Sequence, residues 1–188
     1  QKYTVFFNES EQQLFKESFI TPAAIKALES RAKRPWNKWR RIEAITALGY
    51  TRSDPALTIL EKTLYSRDED VSYFSALAIG QIGAMRSAGI LMNFLKNRPS
   101  TRRKAASILE TLNYNIADDV IKFTDDTDPE VRVWAVRLLA KSESGPYIKK
   151  VEALTDDLSP DVRAAACESL GKLNDKNSKN ALIKCLKD

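Results

Sequence analysis

Adjacent carboxylates are the residues of this chain best suited to chemistry, because two carboxyl groups in one cleft can act as general acid and general base. The pairs are Asp118-Asp119, Asp125-Asp126 and Asp156-Asp157. Each pair falls at a predicted helix end or turn, where carboxylates usually cap helices or stay hydrated. The sequence contains no histidine, so neither a histidine-based triad nor a zinc site of ordinary spacing can be built. We therefore predict a chain that is not an enzyme, with no catalytic residue, no metal and no cofactor.

The two cysteines, Cys167 and Cys185, do not suggest a disulfide framework. Cys167 shares a repeat position with apolar residues, so we expect a small, buried, reduced side chain. Reduced thiols suit a cytoplasmic location, either for a complete protein or for the soluble part of a larger or membrane-anchored one. The sequence begins without methionine, and we expect a fragment or a processed form. No apolar run is long enough to span a membrane.

The densest positive charge lies in the segment Arg31–Arg41, which also contains Trp36 and Trp39. We call its six cationic residues the basic patch: Arg31, Lys33, Arg34, Lys38, Arg40 and Arg41. Cations interleaved with aromatic rings can bind a nucleic-acid backbone or an anionic membrane surface. The alternative is a hydrated helix junction in which the cations have no ligand.

Two sets of residues recur at intervals of 30 or 31 residues, and they indicate how these side chains are positioned. The first set is Gly49, Gly80, Glu110, Ala140 and Gly171. The second set is Leu60, Leu91, Ile121, Val151 and Leu182. Two sets with one period indicate a stack of repeats, each too small to bury its apolar face alone.

Each repeat is predicted to be a pair of antiparallel helices, because proline follows a capping residue at each clear start, as in Ser159-Pro160. The expected pairs are 22–33 with 38–50, 54–65 with 70–82, 86–97 with 100–113, 116–126 with 130–142, and 146–157 with 160–173. A single helix at 177–187 follows, and we expect further repeats beyond it. Glu9–Phe19 is predicted to cap the stack, which divides the chain into an N-terminal extension, 1–21, and a repeat domain, 22–188.

Asp128-Pro129-Glu130-Val131-Arg132 and its counterpart Pro160-Asp161-Val162-Arg163, together with Ala47-Leu48-Gly49, resemble the HEAT-repeat family over residues 22–187. The resemblance is to the short HEAT-like repeats first associated with phycobilin lyases. It implies an all-α, right-handed α-α superhelix, an armadillo-type solenoid of about five helix pairs plus the cap. The third repeat departs from the pattern at Thr101 and Glu110. The iron hydroxylases of this architecture need histidine ligands, which this chain lacks, and no DNA-glycosylase motif is present.

One position of the second helices is occupied by Arg41, Ser72, Arg102, Arg132 and Arg163. Four arginines in register could form a phosphate-binding ladder. We expect them instead to bond turn carboxylates and carbonyl groups of adjacent repeats.

The face of the second helices opposite the apolar positions is the predicted partner surface, which the resemblance would place on the concave side. Aromatic side chains exposed there would act as recognition anchors. The residues proposed to contact a partner are Trp39, Tyr50, Phe74, Lys104, Trp134, Arg137 and Lys141.

We therefore predict a non-catalytic interaction module that binds a protein or peptide. The alternatives are nucleic-acid or anionic-surface binding through the basic patch, and an accessory subunit similar to a lyase component or a chaperone.

Overall fold

The computed structural model of the chain describes residues 21–34, 37–112, 115–141, 147–173 and 178–186. These residues form helices and turns, and no strand occurs among them. The predicted all-α class is confirmed. The predicted cap helix Glu9–Phe19 lies outside the described residues, so that the division at residue 21 stays a prediction.

The chain divides into two compact units, of which the first ends at Ser87 and the second begins at Ala88. The helices of the first unit are α1 (Pro22–Ala32), α2 (Lys38–Tyr50), α3 (Asp54–Leu64) and α4 (Glu69–Ile82). Helix α5 (Met85–Asn97) begins in the first unit and continues in the second.

In the second unit, three of the helical segments continue into or begin with a 3₁₀ turn. The elements are a 3₁₀ turn (Pro99–Thr101), α6 (Arg102–Glu110), α7 (Ala117–Val120) with a 3₁₀ turn (Ile121–Asp125), α8 (Pro129–Lys141), α9 (Ile148–Ala153) with a 3₁₀ turn (Leu154–Asp156), α10 (Pro160–Leu173) and α11 (Lys179–Cys185). The predicted helices therefore exist, and the boundaries differ by a few residues.

Local sequence explains where the helices of the first unit begin and end. The side-chain oxygens of Thr21 and Asn37 accept hydrogen bonds of 3.1 Å from the amides of Ala24 and Arg40. Asp68 Oδ1 accepts from the amide of Val71 at 3.2 Å, and satisfies a donor that the first turn of α4 leaves free. Helix α4 ends at Gly83, whose φ of 62° is a left-handed conformation that glycine adopts at no steric cost.

The first unit is held together by close packing of α2 against α4. A Cβ atom added at Gly49 would lie 2.9 Å from Cα of Ala78, so only glycine allows this approach of the two helices. Ile45, Leu48 and Ile79 are fully buried around the contact. The periodic glycine of the first repeat is therefore required by packing.

The second unit packs α10 against α8, with Val136, Leu139 and Leu170 fully buried. The third repeat is irregular, as predicted, because its second helix, α6, has 9 residues whereas α8 has 13. Thr101 lies in the 3₁₀ turn before α6, and its hydroxyl donates to the Arg98 carbonyl at 3.0 Å. Glu110 is exposed at the end of α6.

The two cysteines form a disulfide, and the prediction of reduced, unpaired thiols is wrong. Cys167 of α10 and Cys185 of α11 are bonded, with their Cα atoms 5.9 Å apart. Cys167 occupies a repeat position that is fully buried at Val136 of α8. In α10 the same position is half-exposed and faces α11. The thiol argument for a cytoplasmic location therefore no longer applies, and that location stays a prediction.

Replacing Gly49 by alanine is expected to destabilise the protein by about 1–3 kcal/mol, because the new methyl group overlaps the backbone of Ala78. Gly171→Ala is the matched control, since a Cβ there meets no atom within 4 Å. In that helix interior alanine should stabilise by about 0.5–1 kcal/mol. Urea unfolding of both variants measures the two effects, and equal shifts would contradict the close approach.

Reduction of the Cys167–Cys185 bond is expected to lower the unfolding free energy by about 3 kcal/mol, since it opens a loop with a sequence separation of 18 residues. Faster amide exchange should appear first in α11. Thermal melts with and without a phosphine reductant measure the change, and Cys185→Ser should melt at the same temperature in both. A melt of the unmodified chain that is insensitive to reductant would exclude a stabilising role.

Candidate functional site

The arginine position of the second helices is structural. Each of its residues donates a hydrogen bond to a main-chain carbonyl at or just beyond the end of the preceding first helix. The bonds are Arg41 Nε to Ala32 O at 2.7 Å, Ser72 Oγ to Leu64 O at 2.5 Å, Arg102 Nε to Leu95 O at 3.2 Å, Arg132 Nη1 to Asp126 O at 2.7 Å and Arg163 Nη1 to Asp157 O at 3.1 Å. Carbonyl groups at the end of a helix have no intrahelical partner, and these side chains supply one. The predicted internal role is confirmed, but these carbonyl groups belong to the same repeat as the donor and not to an adjacent one.

In the second unit, two of these arginines also join successive repeats. Arg102 Nη1 donates to Glu130 at 2.5 Å, and its Nη2 donates to Asp128. Arg132 contacts both carboxylate oxygens of Asp157, at 2.9 and 2.7 Å. Such bidentate pairs fix the relative position of two helices as well as their charge.

The paired carboxylates act as caps and ion-pair partners. Asp126 Oδ2 accepts from Lys96 Nζ at 2.6 Å, and its Oδ1 accepts from the Asp128 amide at 3.0 Å. Asp125 binds Lys150 at 2.6 Å, and Asp118 accepts from the hydroxyl of Tyr147. In these bonds the carboxylates have structural roles, as the sequence suggested. The bonds do not bring two of the carboxylate pairs together around a cleft.

Electrostatic partners outweigh burial at the two most enclosed carboxylates. Burial alone would raise the pKa of Asp126, but Lys96 and the Asp128 amide hold it below its ordinary value. The pKa of Asp157 is lowered for the same reason, with Arg132 and the Ser159 amide as the stabilising groups. Their side chains are 5% and 9% exposed.

Half of the basic patch is bonded to other groups of the first unit. Lys33 pairs with Glu29 at 2.5 Å, Lys38 pairs with Asp68 at 3.4 Å and also with Asp70, and Arg41 caps α1. The guanidinium groups of the other three cations form no hydrogen bond or ion pair with any residue that the structure describes. These exposed residues are Arg31, Arg34 and Arg40. Trp36 of the same segment lies outside the described residues.

The predicted partner surface of the first unit is exposed. Trp39 is 64% exposed on α2, and Lys38 Nζ lies 5.9 Å from its ring centroid. Tyr50 and Phe74 are half-buried, and the Phe74 ring is edge-on to Tyr73 at 5.8 Å. Leu77, one turn further along α4, is also exposed, so this unit presents a mixed aromatic and aliphatic surface.

The predicted partner surface of the second unit is more polar. Trp134 is half-buried on α8, and the guanidinium of Arg137 lies 5.6 Å from its ring centroid. Arg137 also approaches Glu168 of α10 at 3.7 Å. Lys104 and Lys141 are exposed on α6 and α8. On α10, the face opposite the apolar positions contains one buried residue among those described, Ala165.

Comparison with known proteins identifies the family. The model of HEAT repeats matches residues 25–113 and 117–188. The chain belongs to the HEAT-repeat family.

Among solved structures, this HEAT-repeat chain is similar to a chain in the complex of CpcE and CpcF of phycocyanin lyase from Nostoc sp. PCC7120. The identity is 17%, the TM-score is 0.47, and the match covers 92% of this chain and 73% of that one. It is also similar to an engineered protein, with 21% identity, a TM-score of 0.41, and coverage of 87% and 89% of the two chains. No curated protein matches the sequence significantly.

The described part of this HEAT-repeat protein contains no cluster of carboxylate, cysteine or histidine ligands suited to a metal ion. None of its described helices is long and apolar enough to cross a membrane.

The lowered pKa values of Asp126 and Asp157 predict loss of stability in acid. A carboxylate whose folded pKa lies below the unfolded value of about 3.9 contributes fully above that value, and the contribution disappears as pH falls through the folded pKa. The double variant Asp126→Asn/Asp157→Asn should be less stable at pH 7 by about 1–3 kcal/mol per site. Its unfolding free energy should also fall less between pH 5 and 2 than that of the unmodified chain.

Urea unfolding across this pH range measures both effects. Glu110→Gln is the control, because Glu110 is exposed and has no hydrogen bond or ion pair among the described residues. An unchanged acid dependence in the double variant would show that other groups cause it.

Proposed function

We propose that this protein is a non-catalytic HEAT-repeat module that binds a segment of another protein. The observation that supports this most directly is the 64% exposure of Trp39 on α2. An indole that remains in water keeps apolar area available for burial, and tryptophan is enriched among the residues that dominate binding energy. A contact surface built on the second helices would include Trp39, Tyr50, Phe74 and Leu77 in the first unit.

The polarity around these rings indicates the character of the partner. Asp68 and Asp70 neutralise Lys38, so that the ring of Trp39 is bordered by an ion pair rather than by free charge. We therefore expect the first unit to accept an apolar or aromatic side chain of the partner. In the second unit, Lys104, Arg137 and Lys141 would favour acidic residues, with Trp134 as the aromatic contact.

Stability of the fold does not depend on Trp39, because its ring is mostly in water. Removing the ring should therefore affect binding without unfolding the protein. Trp39 thus allows a recognition role to be separated from a packing role, which a buried aromatic residue such as Phe94 would not allow.

Site-specific photo-crosslinking tests the proposal. A benzophenone amino acid at position 39 should capture a partner from the source cell. The same probe at position 58 should not capture it, since Thr58 is exposed on α3, a first helix. With the captured partner purified, Trp39→Ala should weaken binding by about 30-fold or more, and Thr58→Ala by less than about threefold.

Equal capture at both positions, or an affinity unchanged by Trp39→Ala, would overturn the proposed surface. Circular dichroism and thermal melts of both variants check that the fold is intact.

A further inference from the structure

A groove of about 690 Å³ lies along α1 and α2 in the first unit. Its lining includes Arg31, Arg34 and Arg40, with Asn37, Glu43 and the apolar Leu28. The volume is in the range that binds small molecules. The groove therefore brings together the three cations of the basic patch that form no bond with a described residue.

The cations of the basic patch differ in whether they bond a described residue, and this difference determines which ligand fits. A nucleic acid is bound through many phosphate contacts along a track of charge, and an anionic membrane through clusters of about four to eight cations. Here three of the six cations are bonded within the protein, and the three whose guanidinium groups bond no described residue line a single groove. Concentrated charge of this kind favours one compact ligand with several negative charges.

Guanidinium groups favour phosphate as the anionic group. Each guanidinium presents a planar fork of donors that matches two oxygens, and a phosphate offers more acceptor oxygens than a carboxylate to several such forks. With three arginines against one Glu43, the groove has an excess of two positive charges. Three forks that each match two oxygens can use more acceptor oxygens than the three of a single phosphate group, which favours a ligand with two linked phosphates.

The neutral part of the lining supplies the rest of a binding site. Asn37 Oδ1 accepts from the Arg40 amide at 3.1 Å, which fixes the side chain and leaves its NH₂ group able to donate. Leu28 and Ala47 form an apolar wall beside the charges. A ligand with an organic portion could place it there.

We propose that the groove between α1 and α2 binds a small ligand that carries a diphosphate group, through Arg31, Arg34 and Arg40. The site is separate from the surface around Trp39, and the two proposals can fail independently.

Titration calorimetry with inorganic pyrophosphate tests the site, using variants matched in charge. Arg34→Gln/Arg40→Gln removes two positive charges from the groove, and Lys33→Gln/Lys38→Gln removes two from the same segment outside it. We expect the first pair to weaken pyrophosphate binding by about 100-fold and the second by less than about threefold. Succinate should bind the unmodified chain more weakly than pyrophosphate.

Three results would overturn the proposal. One is the absence of pyrophosphate binding at millimolar concentration. Another is an equal loss in both variant pairs, which would indicate diffuse attraction to the whole segment. The third is tighter binding of single-stranded oligonucleotides or phosphoinositide vesicles that depends on Lys33 and Lys38 as much as on the arginines. A vesicle signal that depends only on the groove arginines would support the site, with the lipid headgroup as the source of the phosphates.

Discussion

The hydrogen bond from the second helix of each repeat to the end of the first is the interaction on which the rest of the structure depends. A helix that stops at a turn leaves carbonyl groups without partners, and here one side chain of the following helix satisfies such a carbonyl in every repeat. Because that side chain projects from a fixed position, the bond sets the angle and register between the two helices. Ser72 makes the same bond as the arginines, at 2.5 Å, which shows that the donor matters more than the charge. The exposed face that we propose for recognition is a consequence of this register.

The units differ in what reinforces that arrangement. In the first, α2 and α4 approach so closely at Gly49 that backbone packs against backbone. In the second, Arg102 and Arg132 extend from their capped carbonyls to carboxylates of the next repeat. The ion pairs of the second unit are partly buried, and the partners of Arg102 and Asp157 offset the desolvation of their charges. Neither involves Trp39, which remains exposed on α2.

Features that repeat along the chain could be predicted from the sequence. The pairing of individual side chains, in the disulfide and in the ion pairs, could not. The helices, the buried positions and the internal role of the arginines follow from local patterns that repeat every 30 or 31 residues. The bond between Cys167 and Cys185 was not predicted, because Cys167 was interpreted by analogy with Val136. The analogy fails because Cys167 is bonded to α11. Within the basic patch, the sequence contains no signal that Lys38 reaches Asp70 of α4 while the guanidinium of Arg40 bonds no described residue. Such choices depend on distances across helices that are far apart in the chain. Whether the exposed aromatic residues bind a partner depends on a molecule that the sequence does not encode.

The disulfide between α10 and α11 has a mechanical consequence. Repeat arrays pulled from one end come apart by peeling, since each unit is held only by its neighbour. A force applied beyond Cys185 is carried through the sulfur atoms directly to Cys167, in the body of α10. The intervening segment, including most of α11, then bears no load. Against such a pull, α11 is held by a covalent bond in addition to its packing.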